Sequence, residues 1–392
     1  MNILYMTISY NPEKNGLYQN LVDSLIDRGH NITIVRSMPN STDNTLEKLD
    51  NGLELLSVKT ADPFSRNIIK KGMNQIFLAV NFKKAIKEYL FGKEYDLILY
   101  ATPPVTLASV VKYCKGKYKA KTFLMLKDIF PQNAVDLGMM KKDSLIYKYF
   151  RKQERKYYDY SDYIGCMSKG NIDYVIKHNP DINPDKVGIF PNSIEANVVE
   201  GLSFHKDKTV FMFGGNLGKP QNISGLLEII KELKNYKKAE FIIVGGGTEQ
   251  HKIIEFLKEE ECTNLTYKNM LPQLEYEELL KSADIGLISL DPRFTIPNIP
   301  SKFQNYLKLK KPVLAITDVN TDLKDMIENN KCGWWCDASN KKNVIKTIKD
   351  ICEKKDLQID KGINGRLYFE KAFDVDMNAQ KLESFGLKDM LD

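Results

Sequence analysis

Residues 209–219 read TVFMFGGNLGK, a run of apolar β-branched and aromatic residues followed by a glycine-rich turn and a lysine. A helical pattern over 223–233 comes next. A buried strand that passes through a tight turn into a helix is the repeating unit of a parallel α/β sheet. The same alternation already occupies the first half of the chain, with strand patterns at 2–9, 31–35, 96–101, 121–127, 163–167 and 187–190. At Thr209 the alternation therefore starts a second time.

The second series continues with strand patterns at 240–244, 265–267, 285–290 and 312–316. A polar stretch without periodicity, 191–208, separates the two series and is expected to be a linker. We therefore predict an α/β protein made of two Rossmann-like βα domains facing across a cleft, with boundaries at 1–195 and 196–375. The tail from 341 is predicted to be helical with breaks at Gly362 and Gly365, and its last part, 376–392, is a helix that can cross back to the first domain.

Composition narrows the class of protein. A 43% share of hydrophobic residues and a 28% share of charged residues over 392 positions exclude a disordered, collagen-like or coiled-coil chain. Six cysteines are too few for a disulfide scaffold, and the first strand pattern begins without a secretory segment, so we expect a reducing, cytoplasmic compartment. No apolar run approaches the ~20 residues that a membrane-spanning helix needs.

The net charge of +6 is concentrated in two basic stretches of the first half. Residues 63–93 hold seven positive side chains against one negative, and apolar residues recur there at helical spacing. Such a segment predicts contact with an anionic membrane surface through Lys70, Lys71, Lys83 and Lys84, the alternative being an ordinary helix whose apolar side faces the core. The aromatic and basic stretch 147–160 is typical of a solvated or membrane-facing helix, and we expect no nucleic-acid partner.

The turn 214–219 has the composition of an anion site. Glycines let backbone N–H groups approach a phosphate, and Lys219 adds a charge. The alternative is a turn whose glycines serve only packing. Neither this turn nor 245–250 matches G-x-G-x-x-G, and no Walker loop is present, which argues against a dinucleotide-dependent dehydrogenase.

A second candidate lies at Pro300-Ser301-Lys302, where a helix pattern begins. Ser301 is placed to cap the helix. Lys302 in the first turn opposes the helix dipole, an arrangement that an anion would stabilise, although most such lysines simply face solvent. Gln304 and Asn305 follow as neutral hydrogen-bonding groups that suit sugar hydroxyls.

Two other groups contain residue types that can take part in chemistry: a carboxylate and a pair of cysteines. Asp128 follows the strand pattern 121–127 and could orient or deprotonate an acceptor hydroxyl, the alternatives being a helix cap or an ion pair with Lys127. Cys332 and Cys336 lack the spacing and the second ligand pair of a metal or redox site, so we interpret them as structural.

In order and spacing these blocks resemble GT-B-fold glycosyltransferases of family four. The resemblance rests on residues 2–5, Pro12, Asn15-Gly16, Leu21 and 28–35 near the start, and on 214–219, 241–247, 283–287 and 300–313 in the second half. The block KDIFPQNAVDLG at 127–138 is similar to the bacterial polysaccharide branch, whose members build capsule, O-antigen or exopolysaccharide units.

The resemblance implies a retaining, metal-independent transfer of a sugar from a nucleotide-sugar, UDP-linked in most members. The acceptor would be a lipid-linked saccharide at the inner face of the cytoplasmic membrane, and no cofactor besides the donor would be needed. It implies that Lys219 and Lys302 contact the donor diphosphate. Together with Asp128, chosen above from its place after a strand, these lysines are the predicted catalytic residues. The resemblance implies donor contacts at Gly16, Gly215, Asn216, Gly246, Ser301, Gln304 and Asn305.

This sequence departs from the family at two places. Asn216 stands where many members have an arginine. Pro297 and Asn305 stand where many members have a pair of glutamates, so Gln304 and Asn305 are the substitutes available for binding the ribose. A GT-B-fold nucleotide-sugar epimerase and a non-enzymatic two-domain binding protein remain alternatives at this point, although His and Glu are scarce in the candidate loops.

Overall fold

The computed structural model describes residues 1–14, 16–39, 41–62, 68–196, 205 and 207–387, apart from the side chains at 68–73, 75 and 76. The chain divides into two compact units. The first comprises Met1–Glu195 together with Val375–Asp392, and the second comprises Ala196–Asp374. Residues 63–67, 197–204, 206 and 388–392 lie outside the described part, and with them half of the polar stretch 191–208 that the sequence predicts as a linker.

The first unit is built on an eight-stranded sheet in the order β3-β4-β2-β1-β5-β6-β7-β8. Only the edge strand β3 is antiparallel to its neighbour. The strands are β1 (Asn2–Thr7), β2 (Asn31–Pro39), β3 (Thr45–Lys48), β4 (Glu54–Thr60), β5 (Leu97–Ala101), β6 (Lys121–Leu126), β7 (Tyr163–Cys166) and β8 (Val187–Ile189). The helices are α1 (Leu17–Asp27), α2 (Ile68–Tyr89), α3 (Ala108–Tyr118), α4 (Gln132–Asp136), α5 (Leu145–Tyr160) and α6 (Lys169–His178).

The second unit is a six-stranded, all-parallel sheet in the order β11-β10-β9-β12-β13-β14. Its strands are β9 (Thr209–Gly214), β10 (Ala239–Val244), β11 (Leu265–Lys268), β12 (Ile285–Ser289), β13 (Val313–Thr317) and β14 (Gly333–Asp337). Its helices are α7 (Ile223–Glu232), α8 (Gln250–Glu259), α9 (Gln273–Ser282), α10 (Lys302–Lys308), α11 (Leu323–Asn329), α12 (Lys341–Glu353) and α13 (Lys355–Ala372). The predicted α/β architecture of two Rossmann-like halves is therefore confirmed.

The same aspartate-to-backbone hydrogen bond recurs at the amino ends of the strands. Asp96, Asp162 and Asp284 each directly precede a strand, and each carboxylate accepts a hydrogen bond from the backbone N–H at the start of the neighbouring strand: Asn2 (2.7 Å), Thr122 (3.0 Å) and Val210 (2.7 Å). Asp284 is fully buried. The block 283–287, which contributes to the family resemblance, thus contains an aspartate that aligns strands at the sheet edge opposite the candidate site.

The last helix, α14 (Val375–Leu387), packs on the first unit. Its Ala379 and Leu382 are fully buried within the core that includes Ile3, Leu25 and Phe123. The Asn378 amide donates to the Pro191 carbonyl (2.8 Å) and to the Ser193 hydroxyl (2.7 Å). These contacts order the start of the predicted linker, where 192–194 are buried.

The predicted helix breaks at Gly362 and Gly365 are wrong, because α13 runs through both residues. A Cβ atom at Gly362 would lie 2.2 Å from the Lys310 carbonyl oxygen, and one at Gly365 would lie 3.0 Å from Leu307 Cδ2. The glycines therefore allow α13 to pack closely on the end of α10.

Candidate functional site

In the second unit, two glycine-rich loops meet at the carboxyl ends of β9 and β10. The Gly215 N–H donates to the Val244 carbonyl (2.9 Å), and the Leu217 N–H donates to the Gly246 carbonyl (3.0 Å). Gly215 has φ +117°, a value that L-residues with side chains rarely adopt. These bonds bring Gly215, Asn216 and Gly246 together, as expected of residues that follow adjacent strands of a parallel sheet.

The approach of the two loops depends on glycine at 245. A Cβ atom there would lie 1.8 Å from the Gly215 carbonyl oxygen, and the residue has φ +147°. Gly247 is similarly confined, since its Cβ would lie 2.5 Å from the Leu217 carbonyl oxygen. Both loops remain exposed at their tips, at Asn216 and Gly247, so backbone groups there are accessible to a ligand.

Lys302 begins α10 beside these loops. Its side chain is half-buried, and Nζ lies 3.5 Å from the centroid of the Phe213 ring, at the end of β9. Burial lowers the pKa of the Lys302 ammonium to about 7. Within the described part of the chain Lys302 forms no ion pair. The face of the Phe213 ring is therefore the only group among the described residues that stabilises the ammonium charge. A bound anion would restore a fully charged lysine.

The hydroxyl of Tyr306 fixes α10 against the sheet, at 3.1 Å from the Leu287 carbonyl oxygen and 3.2 Å from that of Met212. Gln304 is fully buried, and neither atom of its amide has a hydrogen-bond partner among the described residues. Such a group costs about 1–3 kcal/mol unless something outside the chain satisfies it. Asn305 is half-buried.

Ser301 precedes α10 but does not cap it, because its side chain accepts no hydrogen bond from the first turn. The predicted capping role is therefore wrong. Ser301 is exposed, which leaves its hydroxyl accessible.

Lys219 is exposed at the start of a short turn, 219–221. The turn is held by the Asp291 N–H, which donates to the Pro220 carbonyl (2.9 Å). Asp291 follows β12 and binds the guanidinium of Arg293 through Nε (2.9 Å) and Nη2 (2.7 Å). Arg293 is a cation that was not predicted from the sequence, although an Asp-Pro-Arg just after a buried strand is a signal for polar groups at this sheet edge.

In the first unit, Asp128 lies just beyond the end of β6. The Thr102 hydroxyl donates to the Asp128 carbonyl (2.9 Å), and the Asn133 amide donates to the Asp128 carboxylate (2.6 Å). Burial and the negative charge of Glu154 raise the pKa of the Asp128 carboxyl to about 6, against the hydrogen bonds from Ile129 and Asn133. A carboxylate with this pKa is suited to accept a proton near neutral pH.

Neither alternative interpretation of Asp128 fits the structure. The Lys127 ammonium instead donates to the carbonyls of Phe190 and Pro191, at 3.3 Å each. Burial lowers the pKa of Lys127 to about 7. Helix α4 begins after Pro131, so Asp128 is not its cap.

Gly16 lies directly before α1, in the segment that follows β1. Its φ of −171° is extended backbone that any residue can adopt. A Cβ atom there would lie 2.7 Å from Gln19 Oε1, the end of a flexible side chain. Gly16 thus follows a strand end of the first sheet, and Asp128 follows another.

The basic helix α2 presents a mixed outer face. Phe77 and Val80 are exposed (56% and 61%), whereas Phe82 is fully buried. Lys84 is exposed, and Lys83 is half-buried with Nζ 5.2 Å from the centroid of the Tyr113 ring. Lys70 and Lys71, with the apolar residues Ile68, Ile69, Met73 and Ile76, have side chains outside the described part.

Within the described ranges, no cluster of three or more His, Cys, Asp or Glu side chains is placed to hold a metal ion. Cys332 and Cys336 are buried, Cys336 lies in β14, and burial raises the pKa of the Cys332 thiol to about 12. Of the helices described, none has the length and apolar character needed to cross a membrane.

Comparison with known proteins relates this site to glycosyl transfer. Residues 196–367 match the family of glycosyl transferases group 1. The probable glycosyltransferase WbjE of Pseudomonas aeruginosa is 27% identical over 295 residues, which are 73% of each chain.

Two solved structures show the same fold at low identity. HepE of Anabaena, in complex with UDP-glucose, is 13% identical with a TM-score of 0.67, over 98% of this chain and 99% of HepE. WaaG, a glycosyltransferase involved in lipopolysaccharide biosynthesis, is 12% identical with a TM-score of 0.68, over 98% of this chain and 99% of WaaG.

The matched segment 196–367 includes both glycine-rich loops and α10, and therefore the whole candidate site of the second unit. The second unit thus contains a segment that matches the glycosyl transferases group 1 family, and the chain is similar over 73% of its length to a probable glycosyltransferase.

Proposed function

We propose that this protein transfers a sugar, with retention of configuration, from a UDP-linked donor to a lipid-linked saccharide acceptor in the synthesis of a bacterial surface polysaccharide. It would work in the cytoplasm, at the inner face of the membrane. The sequence resemblance to the polysaccharide branch supports the acceptor class. The UDP-glucose bound to HepE and the role of WaaG in lipopolysaccharide biosynthesis support the donor and the pathway class.

The observation that carries the proposal is the Lys302 ammonium, half-buried beside the loop 214–218 with no carboxylate partner in the described part of the chain. Breaking the sugar–phosphate bond develops negative charge on the leaving diphosphate. A cation that already lies in a poorly solvated position stabilises that charge more than it stabilises the intact donor. Lys302, with Lys219 and the backbone N–H groups of the glycine loops, would supply this stabilisation without a metal ion or other cofactor.

The remaining donor contacts follow from the same elements. Gln304 has a fully buried amide without a partner among the described residues, and the ribose or sugar hydroxyls of the donor would satisfy it once the side chain turns towards the site. Asn305 and Ser301 lie on either side of it in sequence and complete a polar end of α10. Gly16, in the first unit, would approach the donor phosphates through its backbone.

On the acceptor side, Asp128 is the proposed base. Its raised pKa keeps the carboxylate able to take a proton from an acceptor hydroxyl. For the configuration to be retained, that oxygen would attack the sugar carbon from the same face that the diphosphate leaves. The basic residues of α2, including Lys70, Lys71, Lys83 and Lys84, would hold the enzyme at an anionic membrane surface where a lipid-linked acceptor is presented.

The test is incubation with a panel of nucleotide-sugars, with and without lipid-linked saccharide, while release of free nucleotide and formation of product are measured in the presence and absence of EDTA. We expect turnover with a UDP-sugar that survives EDTA. Lys302→Ala and Lys219→Ala should each lower turnover by at least about tenfold, since removal of one such donor typically costs about 10²–10³ in rate.

Lys361→Ala is the matched control. Lys361 also lies over an aromatic ring, with Nζ 5.0 Å from the centroid of Trp334. Its loss should leave turnover unchanged. Wild-type rates in Lys302→Ala would place the diphosphate elsewhere, and conversion of the donor sugar without acceptor would indicate an epimerase.

A further inference from the structure

A short segment of the first unit, 138–152, exposes an unusual group of apolar side chains. Leu145 is 86% exposed, Ile146 60%, Met139 53% and Tyr149 37%. Large apolar side chains are usually exposed singly rather than in a cluster. We call residues 138–152 the apolar tip.

The backbone holds these side chains outward. Gly138, at φ +66°, ends α4, and the N–H groups of Met139 and Met140 donate to the Ala134 carbonyl at 2.8 and 3.0 Å. Ser144 caps α5 by accepting a hydrogen bond from the Tyr147 N–H (3.2 Å). The exposure of the tip is therefore set by hydrogen bonds at both ends.

The inner side of α5 fixes the tip to the core. Phe150 is buried, with its ring centroid 4.9 Å from that of Phe130, in an edge-to-face contact. Phe130 is two residues beyond Asp128. The apolar tip is thus joined by a direct aromatic contact to the segment that carries the proposed base.

The charge of the tip is almost entirely positive. Lys141, Lys142, Lys148 and Lys152 are all exposed, and Asp143 is the only acidic residue of the segment. Exposed leucine, isoleucine, methionine and tyrosine side chains among lysines complement a surface with an apolar interior and negatively charged head groups. A nucleic acid or an acidic protein would match the lysines but not the apolar side chains.

We propose that the apolar tip inserts into an anionic lipid surface and thereby sets Asp128 at a fixed height above it. The inference rests on the proposed function in one respect: the acceptor brought to Asp128 is taken to be lipid-linked. The lysines of α2 would attract the protein to the surface, whereas Leu145 and Ile146 would enter the head-group region.

Co-sedimentation of the full chain with vesicles tests the proposal. We use phosphatidylcholine vesicles with and without phosphatidylglycerol, at low and high salt. The wild type should bind the anionic vesicles and lose affinity at high salt. L145E/I146E should lower the affinity for anionic vesicles by at least about tenfold, because two inserted apolar side chains are replaced by charges that the lipid repels.

I363E/L367E is the matched control, since Ile363 and Leu367 of α13 are also exposed (45% and 60%) but lie in the second unit. It should bind vesicles like the wild type. A second comparison, F77E/V80E on α2, should have the smaller effect. Unchanged binding of L145E/I146E, or loss confined to F77E/V80E, would overturn the proposal.

Release of nucleotide from the donor in the absence of vesicles separates this inference from the proposed function. L145E/I146E should release nucleotide at the wild-type rate in solution and lose activity only on vesicle-embedded acceptor. Absence of donor turnover in the wild type would contradict the proposed function. The vesicle experiment would still decide whether the apolar tip inserts into lipid.

Discussion

At the scale of single residues, Asp128 and Lys302 are half-buried ionisable groups whose pKa values are displaced in opposite directions, to about 6 and about 7. Burial disfavours the charged form of each. Both groups are therefore close to their titration points at neutral pH, where a proton acceptor and an anion-binding cation can respond to a bound substrate. Perturbed groups of this kind concentrate at functional sites.

The raised pKa of Asp128 predicts the acidic limb of the pH profile. Because the carboxylate is the active form of a base, transfer to acceptor should fall as the pH drops through about 6. Asp128→Asn should lower transfer by about 10²–10⁴ and remove this limb, while donor affinity stays unchanged. An Asn variant that keeps the wild-type acidic limb would assign the titration to another group.

The same shift has a consequence for stability. The folded pKa of Asp128 lies above the unfolded value near 3.8, so the folded state holds the proton more tightly. The stabilisation is fully present below the unfolded pKa and is lost as the pH rises through about 6. Asp128→Asn should therefore be more stable than the wild type at pH 7 and lose this advantage at acidic pH, as measured by thermal unfolding at both values.

At the scale of elements, the contact between the two glycine-rich loops can be tested by comparing alanine substitutions at Gly245 and Gly246. Gly245→Ala would place its Cβ against the Gly215 backbone at 1.8 Å. At Gly246 the nearest atoms to an added Cβ are Gln250 Oε1 at 3.6 Å and Met270 Cε at 4.0 Å, which are ordinary contacts. Gly245→Ala should lower the free energy of unfolding by more than about 2 kcal/mol and abolish donor binding.

Gly246→Ala is the control for that prediction and should change the free energy of unfolding by less than about 1 kcal/mol. Thermal unfolding and titration with UDP check both variants. Equal stability of the two would mean that the loops separate without cost, and the site would then not depend on their contact.

Most strands and helices were predictable, because buried parallel strands such as 97–101 and 285–289 are continuous apolar runs that alternate with helical spacing. The edge strand β3 was missed, since three of its four residues, Thr45–Lys48, are polar and exposed. Such a strand is identified only by its partner β4, which the sequence analysis also missed. The prediction of helix breaks at Gly362 and Gly365 failed for a related reason. Gly362 allows close packing against the Lys310 carbonyl, a contact that is distant in sequence.

The candidate site was predictable to a similar degree. The motif around Lys302 indicated a cation at a helix start, and the glycine-rich turn indicated a close backbone approach. The Phe213 ring under Lys302, the buried amide of Gln304 and the pairing of Asp291 with Arg293 are tertiary contacts that no local pattern reports. The catalytic and binding roles of these residues stay predictions until the variants are measured.

At the scale of the whole molecule, the chain leaves the first unit after Glu195 and returns to it at Val375. The return is anchored by the ion pair of Arg28 with Glu383 (3.1 Å), by the contact of His30 with the same carboxylate (2.9 Å), and by the Val375 N–H, which donates to the Ile194 carbonyl (3.2 Å). Both crossings of the chain between the units are therefore held together at one place in the first unit.

This connectivity predicts that α14 stabilises one unit only. Truncation after Asp374 would remove Val375, Ala379 and Leu382, all buried in the core of the first unit, and Phe385, which packs against that core. Each large apolar side chain removed from a core costs about 1.5–3 kcal/mol. At about 2–4 °C per kcal/mol, the unfolding transition of the first unit should fall by about 10 °C or more.

Hydrogen exchange assigns the effect to a unit. Amides of β1 and β6 should exchange faster in the truncated chain, whereas those of β9 and β13 should keep their wild-type protection, because α14 belongs to the first unit. Arg28→Ala is the control, since losing one partly exposed ion pair should cost no more than about 1 kcal/mol. Equal acceleration of exchange in both units would contradict this assignment and would mean that the two units unfold as one.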